Sequence, residues 1–87
     1  MAIYIDDNGN EQDIAPASGR LFSKEELKTK LGGRPLAIST RVGSDKVIIA
    51  DEAGASKELS PNIKATMLAG RLIVGPVLVC EKDEFDL

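Results

Sequence analysis

Residues 51–79, DEAGASKELSPNIKATMLAGRLIVGPVLV, hold a turn, a helix and an apolar strand in succession, and their reading decides the fold class. Asp51 suits the turn because its short carboxylate folds back onto nearby amides. The helix is predicted to begin after Ser60, with Pro61 in the first helical position, where a missing N–H is no loss, and to stop at Gly70. Ile63 and Met67 recur at i and i+4, and with Leu59 and Leu68 they are expected to form the core-facing stripe, Met67 acting as filler. Asn62, Lys64 and Thr66 then point elsewhere. Residues 72–80, LIVGPVLVC, are apolar at nearly every position instead of alternating, which predicts a strand covered on both faces. Gly75-Pro76 within it demands a bend or bulge, because proline cannot donate to a ladder.

Toward the N-terminus, residues 35–42 alternate Leu36, Ile38, Thr40 and Val42 against Ala37, Ser39 and Arg41, the pattern of a half-buried strand. A turn at residues 43–45 leads into a hairpin partner, KVIIA, with Arg41 and Lys46 close to the turn. Before that hairpin, Phe22-Ser23-Lys24-Glu25-Glu26-Leu27 is a helix start: Ser23 caps, Glu26 completes the capping box and Phe22 staples onto Leu27. Leu27 and Leu31 share one face, and Gly32-Gly33 ends the helix. The first residues read as a strand over residues 2–6, an Asn8-Gly9 turn and a short returning strand over residues 11–14. The whole predicts one small α+β domain over residues 1–87, an antiparallel or mixed sheet of about five strands with two short helices in the order β-β-α-β-β-α-β. Residues 81–87 form an acidic tail.

With 87 residues and a net charge of −3, the chain has acidic ends and a basic middle. Asp6, Asp7, Glu11 and Asp13 lie at one end, and Glu81, Asp83, Glu84 and Asp86 at the other. The acids interleaved among the central Lys and Arg, and the scarcity of aromatics, speak against a nucleic-acid groove. There is no histidine and one cysteine. The commonest general base and most metal-ligand sets are therefore missing from a single copy, which points away from catalysis and calls for no cofactor or metal. Asp51 and Glu52, adjacent on a strand, face opposite sides and make a poor acid–base pair. Asp6 and Asp7 lack the spacing of a calcium loop. Cys80 excludes an internal disulfide, reads as a small buried hydrophobe, and fits a reducing cytosol. No apolar run reaches membrane-spanning length and no secretion signal is expected. A chain this short buries a small share of its surface, so a second copy, as a homodimer or higher homo-oligomer, is the expected source of extra stability.

Asp51-Glu52-x-Gly54, Leu59-x-Pro61-Asn62-x-x-Ala65-Thr66 and Ile73-Val74-Gly75-x-Val77-Leu78-Val79, in this order and spacing, resemble a family of small phage and bacterial domains of unknown function. The likeness extends back to Leu31-Gly32-Gly33. It implies an α+β fold and a home on phages and mobile elements, and it brings no catalytic residues. Small size and missing catalytic groups then point to a binding protein in the cytosol of a bacterial host, which blocks a host defence protein or sequesters a nucleotide-derived immune signal. For a phosphate-bearing ligand the candidate anion contacts are Arg34, Arg41, Lys64 and Arg71, since guanidinium forks suit phosphate. Asn62 and Thr66 would read a base or ribose edge, and the amides of the Pro61-Asn62 helix start would add donors. The alternatives are an acidic DNA mimic that inhibits a nucleic-acid enzyme through the two charged ends, or a structural interaction module.

Overall fold

Two hairpins and one lone strand supply the sheet of the computed structural model, which describes residues 2–16, 19, 21–39, 46–54 and 56–85. β1 (Ala2–Ile5) and β2 (Glu11–Ile14) pair antiparallel around a turn at residues 6–10. There the Asp6 carboxylate accepts the Asn8 and Asn10 amides at 3.0 and 2.9 Å, and Gly9 takes the left-handed conformation that the turn needs. β3 (Pro35–Ser39) and β4 (Lys46–Asp51) form the second hairpin. β5 (Val77–Glu81) enters between the two, giving the order β2-β1-β5-β4-β3, antiparallel throughout. With α1 (Lys24–Leu31) and α2 (Ile63–Ala69) the chain is an α+β fold in the predicted β-β-α-β-β-α-β order.

Each face of the sheet carries one helix. On the first face Ala2, Val47, Ile49, Leu78 and Cys80 meet Phe22, Leu27 and Leu31. On the second, Ile5, Ile48, Ala50, Val77 and Val79 meet Ala65 and Ile73. Central strands β4 and β5 are thus buried on both sides, which is why they read as unbroken apolar runs. Burial, and then the charge of Glu84, push the Cys80 thiol up to about 12, so it is a neutral core group. Among the described residues no helix is long and apolar enough to cross a membrane.

α1 follows its sequence signals. The Ser23 hydroxyl accepts the Glu26 amide at 3.2 Å, and Gly32, at φ +79°, closes the C-terminus by donating to the Lys28 carbonyl at 2.8 Å. Phe22 and Leu27 are both fully buried in one cluster, as a hydrophobic staple requires.

Three expectations are corrected. α2 begins at Ile63 with Asn62 as its cap. Pro61 lies outside the helix and bridges to Val74, because the Asn62 side chain, not Ser60, satisfies the first amides. The last strand begins at Val77 rather than Leu72. Gly75 at φ +78° and the donor-less Pro76 break the ladder, and Leu72 is left 69% exposed. β3 is an edge strand: Ile38 packs on the second core and Ala37 faces out as the alternation predicted, but Leu36, expected inward, is 39% exposed. The acidic end is tied down over its described part: the Phe22 amide donates to the Glu84 carbonyl at 2.8 Å, and Phe85 pairs with Phe22 and packs on the first core. The predicted Arg41–Lys46 turn register, with Thr40 and Val42, lies outside the described residues.

Candidate functional site

Asn62 fixes the phase of α2. It is fully buried, and its side chain makes three hydrogen bonds: its oxygen accepts the Ala65 amide at 3.1 Å, and its nitrogen donates to the carbonyls of Ile5 at 3.1 Å and Gly75 at 2.9 Å. Thr66, one turn on, donates to the Ile73 carbonyl at 3.2 Å and accepts the Ile73 amide at 2.9 Å. With about 100° between successive residues, turning Asn62 and Thr66 inward also turns Ala65 and Ala69 inward. Ile63, Lys64, Met67 and Leu68 are forced outward, with Ile63 66% and Met67 71% exposed.

The expected stripe is therefore inverted: Ile63, Met67 and Leu68 face solvent, and Met67 is not core filler. Beside this ridge runs a groove of about 420 Å³, floored by Ile3, Ile5, Val79, Met67 and Leu68 and rimmed by Glu11, Lys46 and Lys64. Lys64 is ion-paired to Glu11 across the rim. Apolar residues at this density on an outer helix face, next to a concave apolar floor, are suited to contact with another macromolecule.

The residues singled out for an anionic ligand do not converge. Asn62 and Thr66 spend their polar atoms inside the fold. Lys64 sits at the groove rim on β2's side of the second face. Arg34 lies at the opposite edge of the sheet beside β3, within 3.5 Å of Glu52, both side chains at least half exposed. Arg71 lines a crevice of about 120 Å³ at that same edge with Leu36, Ile38, Glu52 and Leu72, away from Lys64. Arg41 lies outside the described residues. The acids proposed as a DNA mimic are partly engaged as well: Asp6 holds its own turn and Glu11 holds Lys64.

Among the described residues Asp51 is the buried charge. Its carboxylate accepts Lys57 Nζ at 2.7 Å and the Ala53 amide at 3.0 Å, as the sequence suggested for a turn-forming aspartate, and Lys57 also donates to the Gly32 carbonyl at 3.0 Å. Burial acts to raise the Asp51 pKa, but the Lys57 hydrogen bond, the Ala53 amide and the Lys57 charge outweigh it and leave the group below the ordinary aspartate value. The cluster clamps the end of α1 to the end of β4. Among the described residues no three His, Cys, Asp or Glu side chains gather to hold a metal ion.

The inverted helix escaped the sequence reading, yet a signal was present. Ala65 and Ala69 share the same i, i+4 spacing as Ile63 and Met67, and a buried Asn cap one turn before Thr66 selects the alanine phase. No protein-family model, curated protein or solved structure matches this chain.

Proposed function

We propose that the chain is a non-catalytic binding protein that works as a homodimer joined through the outer face of α2, and that it acts in a bacterial cytosol by holding a host defence protein. The phage-type counter-defence setting comes from the resemblance at residues 51–54, 59–66 and 73–79. The observation that carries the contact is the inversion of α2: large apolar side chains outside, Ala65 and Ala69 inside. A twofold contact requires one patch to be complementary to itself. Here a ridge (Ile63, Met67) and a groove floored by Ile3, Ile5 and Val79 lie side by side, so each copy's ridge meets the other's groove. The neighbouring charges neutralise each other as the Lys64–Glu11 pair, so two copies do not repel across the axis.

A protein target is favoured over a nucleotide signal by the size and scatter of the polar sites. Drug- or nucleotide-sized ligands occupy roughly 300 Å³ or more; the crevice at Arg71 offers about 120 Å³, and the groove of about 420 Å³ has an apolar floor with its Lys64 spent on Glu11. Light scattering on the eluting protein tests the reading. The wild-type chain is expected at twice its 9.3 kDa chain mass, and the Ile63→Lys variant at the single-chain mass. A wild-type chain that stays single up to high micromolar concentration overturns the dimer. Calorimetry with cyclic dinucleotides and ADP-ribose is expected to be silent, and a saturable heat would replace the protein target with a nucleotide.

A further inference from the structure

The two edges of the sheet are unlike. β2, Glu11-Gln12-Asp13-Ile14, carries two acids, the kind of charge that guards an edge against further pairing. β3, Pro35-Leu36-Ala37-Ile38-Ser39, has its proline only at the first position and no charged residue. Leu36 is 39% exposed there. Alongside it, between β3 and residues 71–74, lies the crevice lined by Leu36, Ile38, Leu72 and Ile73. Leu36 and Ile38 alternate onto the same face of the strand, the spacing at which an added strand would place its own side chains. Leu72, 69% exposed, forms part of the opposite wall. One charge at the mouth is already matched, Arg34 with Glu52. Arg71, on the same crevice, makes no ion pair among the described residues.

We propose that β3 is a docking edge: an extended apolar segment of a protein partner adds to it as a sixth strand, seating side chains between Leu36, Ile38 and Leu72 and placing a carboxylate on Arg71. Main-chain pairing supplies affinity in such an addition and the pockets for alternate side chains supply selectivity. The inference rests on the reading of the chain as a binding protein and assigns its target to a surface separate from α2. The dimer face stays free for the second copy, and each dimer presents two such edges.

Panning a randomised ten-residue peptide display library on the full-length chain tests it. The expected result is enrichment of peptides with apolar residues at alternate positions and one Asp or Glu. A synthetic peptide of the enriched sequence should slow amide exchange of residues 36–39 and leave residues 11–14 unchanged. Leu36→Lys, which adds the guarding charge that β3 lacks, and Arg71→Glu should each weaken that peptide by about tenfold or more. Gln12→Lys and Ile63→Lys should leave it unchanged. Peptides that bind Leu36→Lys and Arg71→Glu as tightly as wild type, or a selection that enriches no alternating sequence, overturn the proposal. Loss of peptide binding in Ile63→Lys would place the site at α2 and overturn it too. A chain that proves single-copy by mass but keeps the β3-dependent peptide refutes the dimer alone.

Discussion

α1 and α2 pack on opposite faces of one sheet and follow opposite rules. α1 buries Leu27 and Leu31 and turns Lys24, Glu25, Lys28 and Thr29 to water. α2 buries Ala65, half-buries Thr66 and Ala69, and turns Ile63, Met67 and Leu68 outward. The first helix completes a core that Phe22 and Phe85 extend. The second brings no large apolar side chain to its core. A short helix that leaves its largest apolar groups in water gains little of the burial that stabilises helices in proteins. The difference teaches that position on a face, rather than apolar content, separates a structural helix from a contact helix.

The largest effect that the comparison predicts is on the first face. Leu27→Ala removes a side chain with no exposure and should cost about 2–5 kcal/mol in urea unfolding. A cost below about 1 kcal/mol would show that α1 is not the structural helix.

Asp51→Ala should come next, since it unfastens α1's end from β4 and leaves Lys57 without its carboxylate; hydrogen bonds to charged groups contribute about 1.5–3 kcal/mol. The pH dependence follows from the lowered pKa of Asp51. Because the folded-state value lies below the unfolded one, the stabilisation is present above the ordinary aspartate range and is lost as pH falls through the folded-state value. The stability gap between wild type and variant should be constant above about pH 5 and should shrink below about pH 4. A gap that widens on acidification would mean that the Lys57 pair is not the source.

The two caps sharpen the contrast further. Asn62→Ala leaves the Ala65 amide and the Ile5 and Gly75 carbonyls without their partner inside the fold, a loss of about 1–3 kcal/mol or more. Ser23→Ala, at an exposed helix start, should cost about 1 kcal/mol. Equal losses in thermal or urea melts would mean that Asn62 is an ordinary cap and does not set the phase of α2.

How far each helix was legible in the sequence has a physical reason. In α1 every signal agrees: Phe22 before the cap, Ser23, Glu26, Leu27 with Leu31, then Gly32. In α2 two i, i+4 pairs compete, and side-chain size favours Ile63 and Met67 while a buried hydrogen-bonding cap favours Ala65 and Ala69. Three hydrogen bonds from Asn62 reach Ile5, Gly75 and Ala65, and two of these partners lie far along the chain or beyond the helix, where local pattern carries no information. The α+β class and the strand order along the chain were legible because the apolar runs of β4 and β5 can be satisfied only between two layers. The anion-binding set was not, because Arg34 and Arg71 lie at the β3 edge while Lys64 lies on β2's side of the sheet, and Asn62 and Thr66 turn inward, and chain position alone does not bring side chains together.

The most direct test of the account is the urea midpoint of Met67→Ser against wild type at low and at high chain concentration. If α2's outer face is a contact surface, the stabilities read from the two midpoints agree within about 0.5 kcal/mol when dilute and separate as concentration rises, because only the wild type gains stability from a second copy. A gap already present in the dilute sample would return Met67 to the core and contradict the account, and coincidence at every concentration would contradict the dimer.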